Sequence, residues 1–253
     1  MIPGAGTMLA SSARRVSFEI VGAGGQGGQA NLQNPGARGG DGQVVRFDAT
    51  LERGTVLDLV VGSGNIGYSS ARANSHKGGI GGTGLLNSNG GDGGNGGQAS
   101  VIYFNGVPWA GAGAGGGGGG RSHFAPGGAG QATHTGSGAS TGANGQSAPI
   151  EGPGGGAGGG GITSTSGQQG GASGAGGNPA STGGHVGGTL TPSGAGTFTG
   201  VNNNNGAGTG GAGGFVIPSG FGSNGQNGRI TITMDGLQHV FNYTGTDQVF
   251  TVP

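Results

Sequence analysis

The chain has 253 residues, of which 75 are Gly, only 7% are charged and 30% are hydrophobic, and its formal net charge is zero. A conventional apolar core therefore cannot extend through the whole chain, and the charge gives no electrostatic footprint for nucleic acid or for an anionic membrane. Because the chain contains no Cys, a disulfide framework is excluded.

Residues 1–15 are interpreted as an N-terminal arm. They lack the early basic region and the long apolar run of a signal peptide, and no stretch of the chain approaches the roughly 20 apolar residues of a spanning helix. Residues 16–253 are predicted to form a single glycine-rich domain, which is strand-rich at 16–110 and 229–253 and glycine-rich at 111–228.

Short segments with alternating apolar and polar residues predict β-strands. Between them, Asn105-Gly106, Asp235-Gly236 and Thr244-Gly245 are predicted to be hairpin turns, and residues 51–54 form a turn-like connection. No segment has a sustained helical period, so the sequence predicts no substantial α-helix. The predicted strands are 16–21, 43–48, 55–61, 99–104, 229–234, 239–244 and 248–252.

Gly recurs at every third residue in the segments that separate these strands. A polyproline-II-like helix has three residues per turn, so such glycines lie along one edge and let a neighbouring backbone approach closely. We predict a mostly irregular and β architecture, in which short antiparallel strands cap a bundle of polyglycine-II helices. For residues 122–228 the alternative is a disordered low-complexity linker, which the composition alone favours. The repeats are Gly36/Gly39/Gly42, Gly78/Gly81/Gly84, Gly90/Gly93/Gly96, Gly152/Gly155/Gly158/Gly161, Gly208/Gly211/Gly214 and Gly222/Gly225/Gly228.

Motifs that resemble catalytic or nucleotide-binding signatures are expected by chance at this glycine content. Residues 22–27 and 62–67 match a dinucleotide fingerprint without a following helix, and residues 138–142 match a nucleophile elbow without a preceding strand. The five His residues have no metal-ligand spacing, and Asp41 and Asp92 are interpreted as turn or cap residues. We therefore predict no catalytic residue, metal site or cofactor, and a protein that is not an enzyme.

Bulky residues isolated among small polar ones are the candidates for recognition. Packing inside the bundle is the alternative role, and the sequence does not separate the two. For Trp109, Phe215 and Phe221, which lie near strands, packing is preferred. The candidate receptor-binding residues are His123, Phe124, His134, His185 and Phe198.

The strand-then-glycine segments 18–25, 53–62 and 105–113 resemble the glycine-rich domain shared by phage tail proteins and certain receptor tyrosine kinase ectodomains. The glycine tracts are similar to the polyglycine-II sandwich of tip adhesins on T-even-type phage long tail fibres. The resemblance implies that loops at the end of the sandwich contact a host receptor. The chain departs from those adhesins because it has no obvious Trp-rich N-terminal attachment domain.

The resemblance implies a virion structural protein, a tail-fibre or tail-tip adhesin that is extracellular after host lysis. Its expected partners are other virion tail proteins and a bacterial outer-surface protein or glycan, with no nucleic acid and no membrane insertion. One alternative is an ice-binding protein, because glycine-rich antifreeze proteins of arthropods also resemble such bundles. The other alternative is a self-assembling extracellular filament protein.

The two chain ends are predicted to belong to one strand system. In the related domains, a segment like residues 248–253 comes directly before a strand like residues 16–21, so this chain resembles a circular permutation. Pairing within the chain is favoured, since a free strand edge invites aggregation. The alternatives are self-association through the C-terminal strand and a simple cut at a domain boundary.

Overall fold

Two antiparallel sheets and a set of glycine tracts make up the part of the chain that the computed structural model describes. This part contains no α-helix, as predicted. It comprises residues 13–30, 35–64, 76–84, 91–121, 187–192, 198–201 and 222–253, with shorter pieces at 128, 130, 145–147, 153–156, 159, 161, 181, 183–184, 207–208, 210 and 220.

The five strands of sheet A lie in the order β6-β2-β1-β7-β8, and the four strands of sheet B in the order β5-β4-β3-β9. Most strands coincide with segments predicted from alternation. The strands are β1 (Ala13–Val21), β2 (Gln43–Glu52), β3 (Val56–Val60), β4 (Ser100–Phe104), β5 (Val107–Ala112), β6 (Phe198–Val201), β7 (Arg229–Met234), β8 (Leu237–Asn242) and β9 (Gln248–Thr251).

A hydrophobic core fills the space between the two sheets. Alternate residues of β1, such as Val16 and Ile20, are fully buried and belong to the same cluster as Leu57 and Leu59 of β3. Burial of such side chains stabilises the fold by about 1.5–3 kcal/mol each. Among the described residues, most of the large buried apolar side chains thus belong to this one sandwich.

The single Trp of the chain packs against this core, as predicted. The Phe18 and Phe47 rings stack with centroids 4.8 Å apart, and the Trp109 ring meets both edge-on at 5.5 and 5.3 Å. Trp109 is placed there by a β-bulge in β5, because Ile102 pairs with Ala110 while the next residue of β4 pairs with Pro108.

The glycine tracts continue directly from the strands and are joined by backbone hydrogen bonds with a period of three. In the tract 22–30, which follows β1, three successive N–H groups donate to three different neighbouring tracts, and the pattern then repeats. The acceptors are Gln43, Gly40 and Ala37 for residues 22, 25 and 28, then Gln98, Asn95 and Asp92 for 23, 26 and 29, and Gln226, Ser223 and Gly220 for 24, 27 and 30.

Both relative directions occur among the tracts. The decreasing acceptor numbers show that tract 22–30 is antiparallel to all three of those neighbours. Tract 113–121 is parallel to it, because the N–H groups of Gly115, Gly118 and Arg121 donate to Ala23, Gln26 and Gln29. An extended helix has no internal hydrogen bonds, so these bonds between tracts satisfy its backbone. The predicted polyglycine-II bundle capped by strands is confirmed.

Glycine is required where two tracts touch. A Cβ built on Gly22, Gly25 or Gly28 would lie closer than 3.0 Å to the carbonyl oxygens of residues 113, 116 and 119. Gly22, Gly25 and Gly28, which are likewise three residues apart, therefore mark the edge along which tract 22–30 meets tract 113–121.

Two of the three predicted hairpin turns are confirmed. Asn105-Gly106 and Asp235-Gly236 have φ values of 51° and 76°, and of 49° and 79°, as a type I′ turn requires. The prediction for Thr244-Gly245 is wrong, because this connection joins β8 in sheet A to β9 in sheet B. Crossing between sheets lets Phe250 of β9 enter the core. The turn-like connection predicted at 51–54 lies at 53–55 instead, because Leu51 and Glu52 still belong to β2, and it likewise connects the two sheets, from β2 to β3.

Other parts of the fold differ from the sequence prediction. Strand β1 begins at Ala13, inside the predicted N-terminal arm, and β6 was not predicted. Gly208 has a φ of 72° and lies in a turn rather than in an extended tract, whereas Gly211 and Gly214 lie outside the described residues. The C-terminal strand pairs within the chain, but its partner is β3 and not β1.

Candidate functional site

The last described residues of several glycine tracts lie together at the side of the bundle that faces away from the strands, called here the distal end. Hydrogen bonds place their last described residues at one level: Gln29 donates to Asp92 at 2.9 Å, Gly91 to Arg121 at 2.9 Å and Ala30 to Gly220 at 3.1 Å. The guanidinium of Arg121 also donates to the Pro35 carbonyl at 3.0 Å. The chain segments next to these residues are therefore attached to a common, hydrogen-bonded base.

The structure places one of the five candidate receptor-binding residues. Phe198 lies in β6 at the edge of sheet A, where Arg46 is its partner in the strand register, so it belongs to the sandwich and not to the distal end. His123, Phe124, His134 and His185 lie outside the described residues. His123 and Phe124 follow Arg121 closely in the chain.

The sequence analysis did not identify a shallow depression of about 420 Å³ on the outer face of sheet A. Its polar side chains come from the positions of β1, β2, β7 and β8 that point away from the core. We call this depression the polar groove. The side chains lining it are Ser17, Glu19, Arg46, Asp48, Thr231, Thr233 and Gln238.

Ion pairs fix the charged side chains of the polar groove. Glu19 accepts a hydrogen bond at 2.8 Å from Nε of Arg46 and another at 2.9 Å from Nη2 of Arg229. Asp48 accepts from Arg15 at 2.8 Å and from the Ser17 hydroxyl at 2.5 Å. The two carboxylates thereby hold three guanidinium groups at defined positions.

These contacts keep both carboxylates ionised. Partial burial raises the pKa of Glu19, but hydrogen bonds and charge from Arg46 and Arg229 outweigh it, and the pKa lies below its ordinary value. The hydrogen bond from Ser17, followed by that from Arg15, lowers the pKa of Asp48. The groove therefore presents its charges already paired at neutral pH.

A second depression of about 290 Å³ lies next to the polar groove, on the side toward the glycine bundle. Arg229 lines it, together with the side chains of Gln226, Asn227 and Asn242 and the residue Tyr243. Since Arg229 also binds Glu19, the two depressions share a wall. The Nε atom of Arg229 is buried and has no hydrogen-bond partner among the described residues.

A buried polar pair, His76 and Tyr103, joins the bundle to sheet B. The His76 Nδ1 is 3.1 Å from the Gly161 carbonyl and its Nε2 is 2.5 Å from the Tyr103 hydroxyl. A neutral imidazole satisfies both contacts when Nδ1 donates and Nε2 accepts. Burial lowers the pKa of His76, against the opposing effect of the Gly161 hydrogen bond. Both ring nitrogens of His76 therefore have hydrogen-bond partners within the protein, and we assign the pair a packing role.

Residues 22–27, the first of the two dinucleotide-fingerprint matches, do not form a phosphate cradle, and the second match, at 62–67, lies partly outside the described residues. Residues 22–27 belong to an extended tract, in which the edge formed by Gly22 and Gly25 lies against the backbone of residues 113 and 116. In the described ranges, no group of three or more His, Asp or Glu side chains could hold a metal ion. Residues 138–142 lie outside those ranges.

Comparison with known proteins gives no family: no protein-family model and no curated protein sequence matches the chain. In the part of the chain that the structure describes, no helix has the length and apolar character needed to cross a membrane. The geometry of the distal end and of the polar groove therefore carries the functional argument.

Proposed function

We propose that the chain is a phage virion structural protein, a tail-fibre or tail-tip adhesin that binds a host surface receptor and is not an enzyme. The observation that carries the proposal is the common level to which hydrogen bonds bring Ala30, Gly91, Arg121 and Gly220, on the side of the bundle away from the strands. Binding residues are typically found on segments that a rigid scaffold presents. A bundle anchored in a β-sandwich at one end provides such a scaffold.

The proposed contact region is the distal end, with His123 and Phe124 as its first residues. Arg121 is hydrogen-bonded to residues 91 and 35 at that end, so the chain enters the next segment from a fixed point. Aromatic side chains among small polar residues suit contact with a protein or glycan at a low cost in conformational entropy. The opposite end, formed by the sandwich, is then left for attachment to other virion tail proteins, and the location is the virion tail.

Adsorption to host cells tests this proposal. We expect the variant His123→Ala with Phe124→Ala to lose adsorption while its Trp109 fluorescence stays that of the wild type. The matched control is Val249→Ala on β9, whose side chain is 60% exposed on the sandwich, and its adsorption should be unchanged. Phe198→Ala is measured separately, because β6 lies in sheet A.

Two results would overturn the proposal. Undiminished adsorption by the folded double variant would place the contact elsewhere. Thermal hysteresis in cold solution without adsorption to any bacterial surface would instead support the ice-binding alternative, and spontaneous filaments would support the self-assembling one.

A further inference from the structure

Strand β8 is an edge of sheet A in the part of the chain that the structure describes. It pairs with β7 on one side only. Because Met234 and Leu237 flank the two-residue turn and face each other in the register, their backbone groups bond to one another. Alternation along the strand then directs the N–H and C=O groups of Gln238, Val240 and Asn242 away from β7. The strand therefore presents a row of outward backbone groups.

These outward groups are accessible to another strand. Among the described residues, no backbone hydrogen bond reaches the outward groups of Gln238 or Val240. The Asn242 carbonyl accepts from Nε2 of Gln248 at 2.8 Å, which agrees with its direction away from β7. This bond comes from a side chain at an exposed position, and a carbonyl oxygen has a second lone pair for a further donor.

Strand β8 also lacks the features that protect the other sheet edges. Native edges are commonly blocked by short strands, charged residues, Pro or β-bulges. The β5 edge has Pro108 and a β-bulge, and its Gly111 bridges to Leu190, while β6 and β9 have four residues each. In contrast, β8 has six residues, none of them charged or Pro, and pairs with β7 without a register shift. Such an edge is suited to pairing with a further strand.

The sequence of β8 is complementary to itself across a two-fold axis. An antiparallel copy centred on Val240 places this residue opposite Val240 of the second copy, and Gln238 opposite Asn242, as hydrogen-bonded pairs. Val240 is 49% exposed, so the pairing covers apolar surface, and the flanking carboxamides can bond to each other. No like charges meet, because β8 carries none. These features favour a second copy of the chain over a strand of unrelated sequence.

The same register continues the aromatic edge of the core. The rings of His239 and Phe241 lie 5.1 and 6.1 Å from the Phe250 ring, between centroids, and both residues are only partly buried. Two-fold pairing places His239 opposite Phe241 of the second copy, and aromatic cross-strand pairs stabilise a sheet. The rings that close the core in one chain are then covered by those of the other.

We propose that the chain forms a two-fold symmetric homodimer, in which β8 pairs with β8 of a second copy and joins the two copies of sheet A. A six-residue strand pair is about 20 Å long. This is small for a stable interface, so we expect a reversible dimer with a Kd of about 1–100 μM. The contact uses none of the distal residues and is measured without host cells, so it stands or falls independently of the receptor-binding proposal.

Sedimentation velocity over a concentration series tests the dimer. We expect the wild type to approach twice the mass of one chain as the concentration rises. Val240→Lys should weaken the dimer by about tenfold or more, because like charges then lie directly opposite each other. The matched control is Val249→Lys on β9, at a position that is 60% exposed on the outer face of sheet B, and it should dimerise as the wild type does.

Pairing of opposite charges tests the two-fold register itself. Val240→Glu should also be monomeric alone, but its mixture with Val240→Lys should form a heterodimer, since opposite charges then face each other. Wild-type Trp109 fluorescence and urea denaturation show that the variants are folded. In the wild type, the amides of Gln238 and Val240 should exchange hydrogen more slowly at high than at low protein concentration.

Each outcome decides the proposal. Dimerisation of the wild type that Val240→Lys weakens, Val249→Lys leaves unchanged and the mixture of the two Val240 variants restores supports it. A wild type that stays monomeric throughout the series overturns it. So does a dimer that Val240→Lys leaves unchanged or Val249→Lys weakens equally, and so does a mixture of folded Val240 variants that stays monomeric. Equal exchange of the β8 amides at all concentrations would place the contact elsewhere and overturn it as well.

Discussion

At the scale of single residues, polar side chains complete the hydrogen bonding of the glycine bundle. Asp92, Asn95 and Gln98 lie three residues apart on one tract, and their side-chain oxygens accept the backbone N–H groups of residues 84, 81 and 63 at 2.7, 2.9 and 3.0 Å. They replace backbone acceptors, which keeps buried N–H groups satisfied. The sequence predicted the capping role of Asp92. It did not predict the role of Gln98, because a side-chain acceptor is recognised only when its donor tract is known.

The residue with the sharpest electrostatic consequence is Glu19. Its folded pKa lies below its ordinary value of 4.5, because Arg46 and Arg229 outweigh the effect of burial. The stabilisation is therefore fully present above pH 4.5 and is lost as the pH falls through the folded pKa. We expect Glu19→Gln to lower the free energy of unfolding by about 1–3 kcal/mol at pH 7, measured by urea denaturation.

The pH dependence separates this electrostatic effect from packing. The difference between wild type and Glu19→Gln should shrink as the pH is lowered below 4.5, because the wild-type carboxylate is then protonated as well. Asp48→Asn is the control, since its exposed carboxylate should give a smaller loss of stability. If the free energy of unfolding of Glu19→Gln stayed below that of the wild type by the same amount down to pH 2, the electrostatic explanation would be contradicted.

At the scale of elements, the sequence predicts the extended tracts better than it predicts their arrangement. The period of three requires one small edge per tract, and the contact of Gly25 with Gly116 shows why. Which tracts meet, and in which direction, depends on the sheet order that feeds them, and alternation within a strand does not determine that order. Edge strand β6 was missed for a similar reason: its four residues have little pattern of their own, and pairing with β2 defines it.

Adding one methyl group to tract 22–30 tests whether its close contact with tract 113–121 requires glycine. Gly25→Ala would place a Cβ against the carbonyl oxygen of Gly116, so neighbouring tracts must separate. We expect a loss of about 1–3 kcal/mol in the free energy of unfolding. The matched control is Ala23→Gly in the same tract, which removes a buried methyl and should cost only about 0.5–1 kcal/mol. Equal losses in the two variants would show that close approach is not what requires glycine at position 25.

At the scale of the whole molecule, the strands of the sandwich continue directly into the tracts of the glycine bundle. Tract 22–30 leaves β1, tract 113–121 leaves β5 and tract 220–228 enters β7. Apolar residues order the strands, and the ordered strands fix the starting points of tracts that have almost no side chains to bury. The sequence shows both kinds of segment. It does not show that β8 and β9 belong to different sheets, because Thr244-Gly245 has the composition of a hairpin turn.

The C-terminal strand tests how strongly the chain ends contribute to this common structure. Phe250 and Val252 are buried in the core to which Val16 of β1 also belongs, and β9 is held by pairing with β3. We expect deletion of residues 246–253 to destabilise the monomer. Phe250→Ala should cost about 3–5 kcal/mol through the cavity it leaves, whereas Val249→Ala, on the exposed face of the same strand, should change stability by less than about 0.5 kcal/mol. The free energy of unfolding of all three variants is measured by urea denaturation, followed by the fluorescence of Trp109, the only Trp of the chain. Size-exclusion chromatography gives their oligomeric state. Because Trp109 packs on Phe18 and Phe47, its signal reports on the sandwich directly. A deletion variant that unfolds like the wild type but no longer assembles would instead assign the C-terminal strand to contacts between subunits.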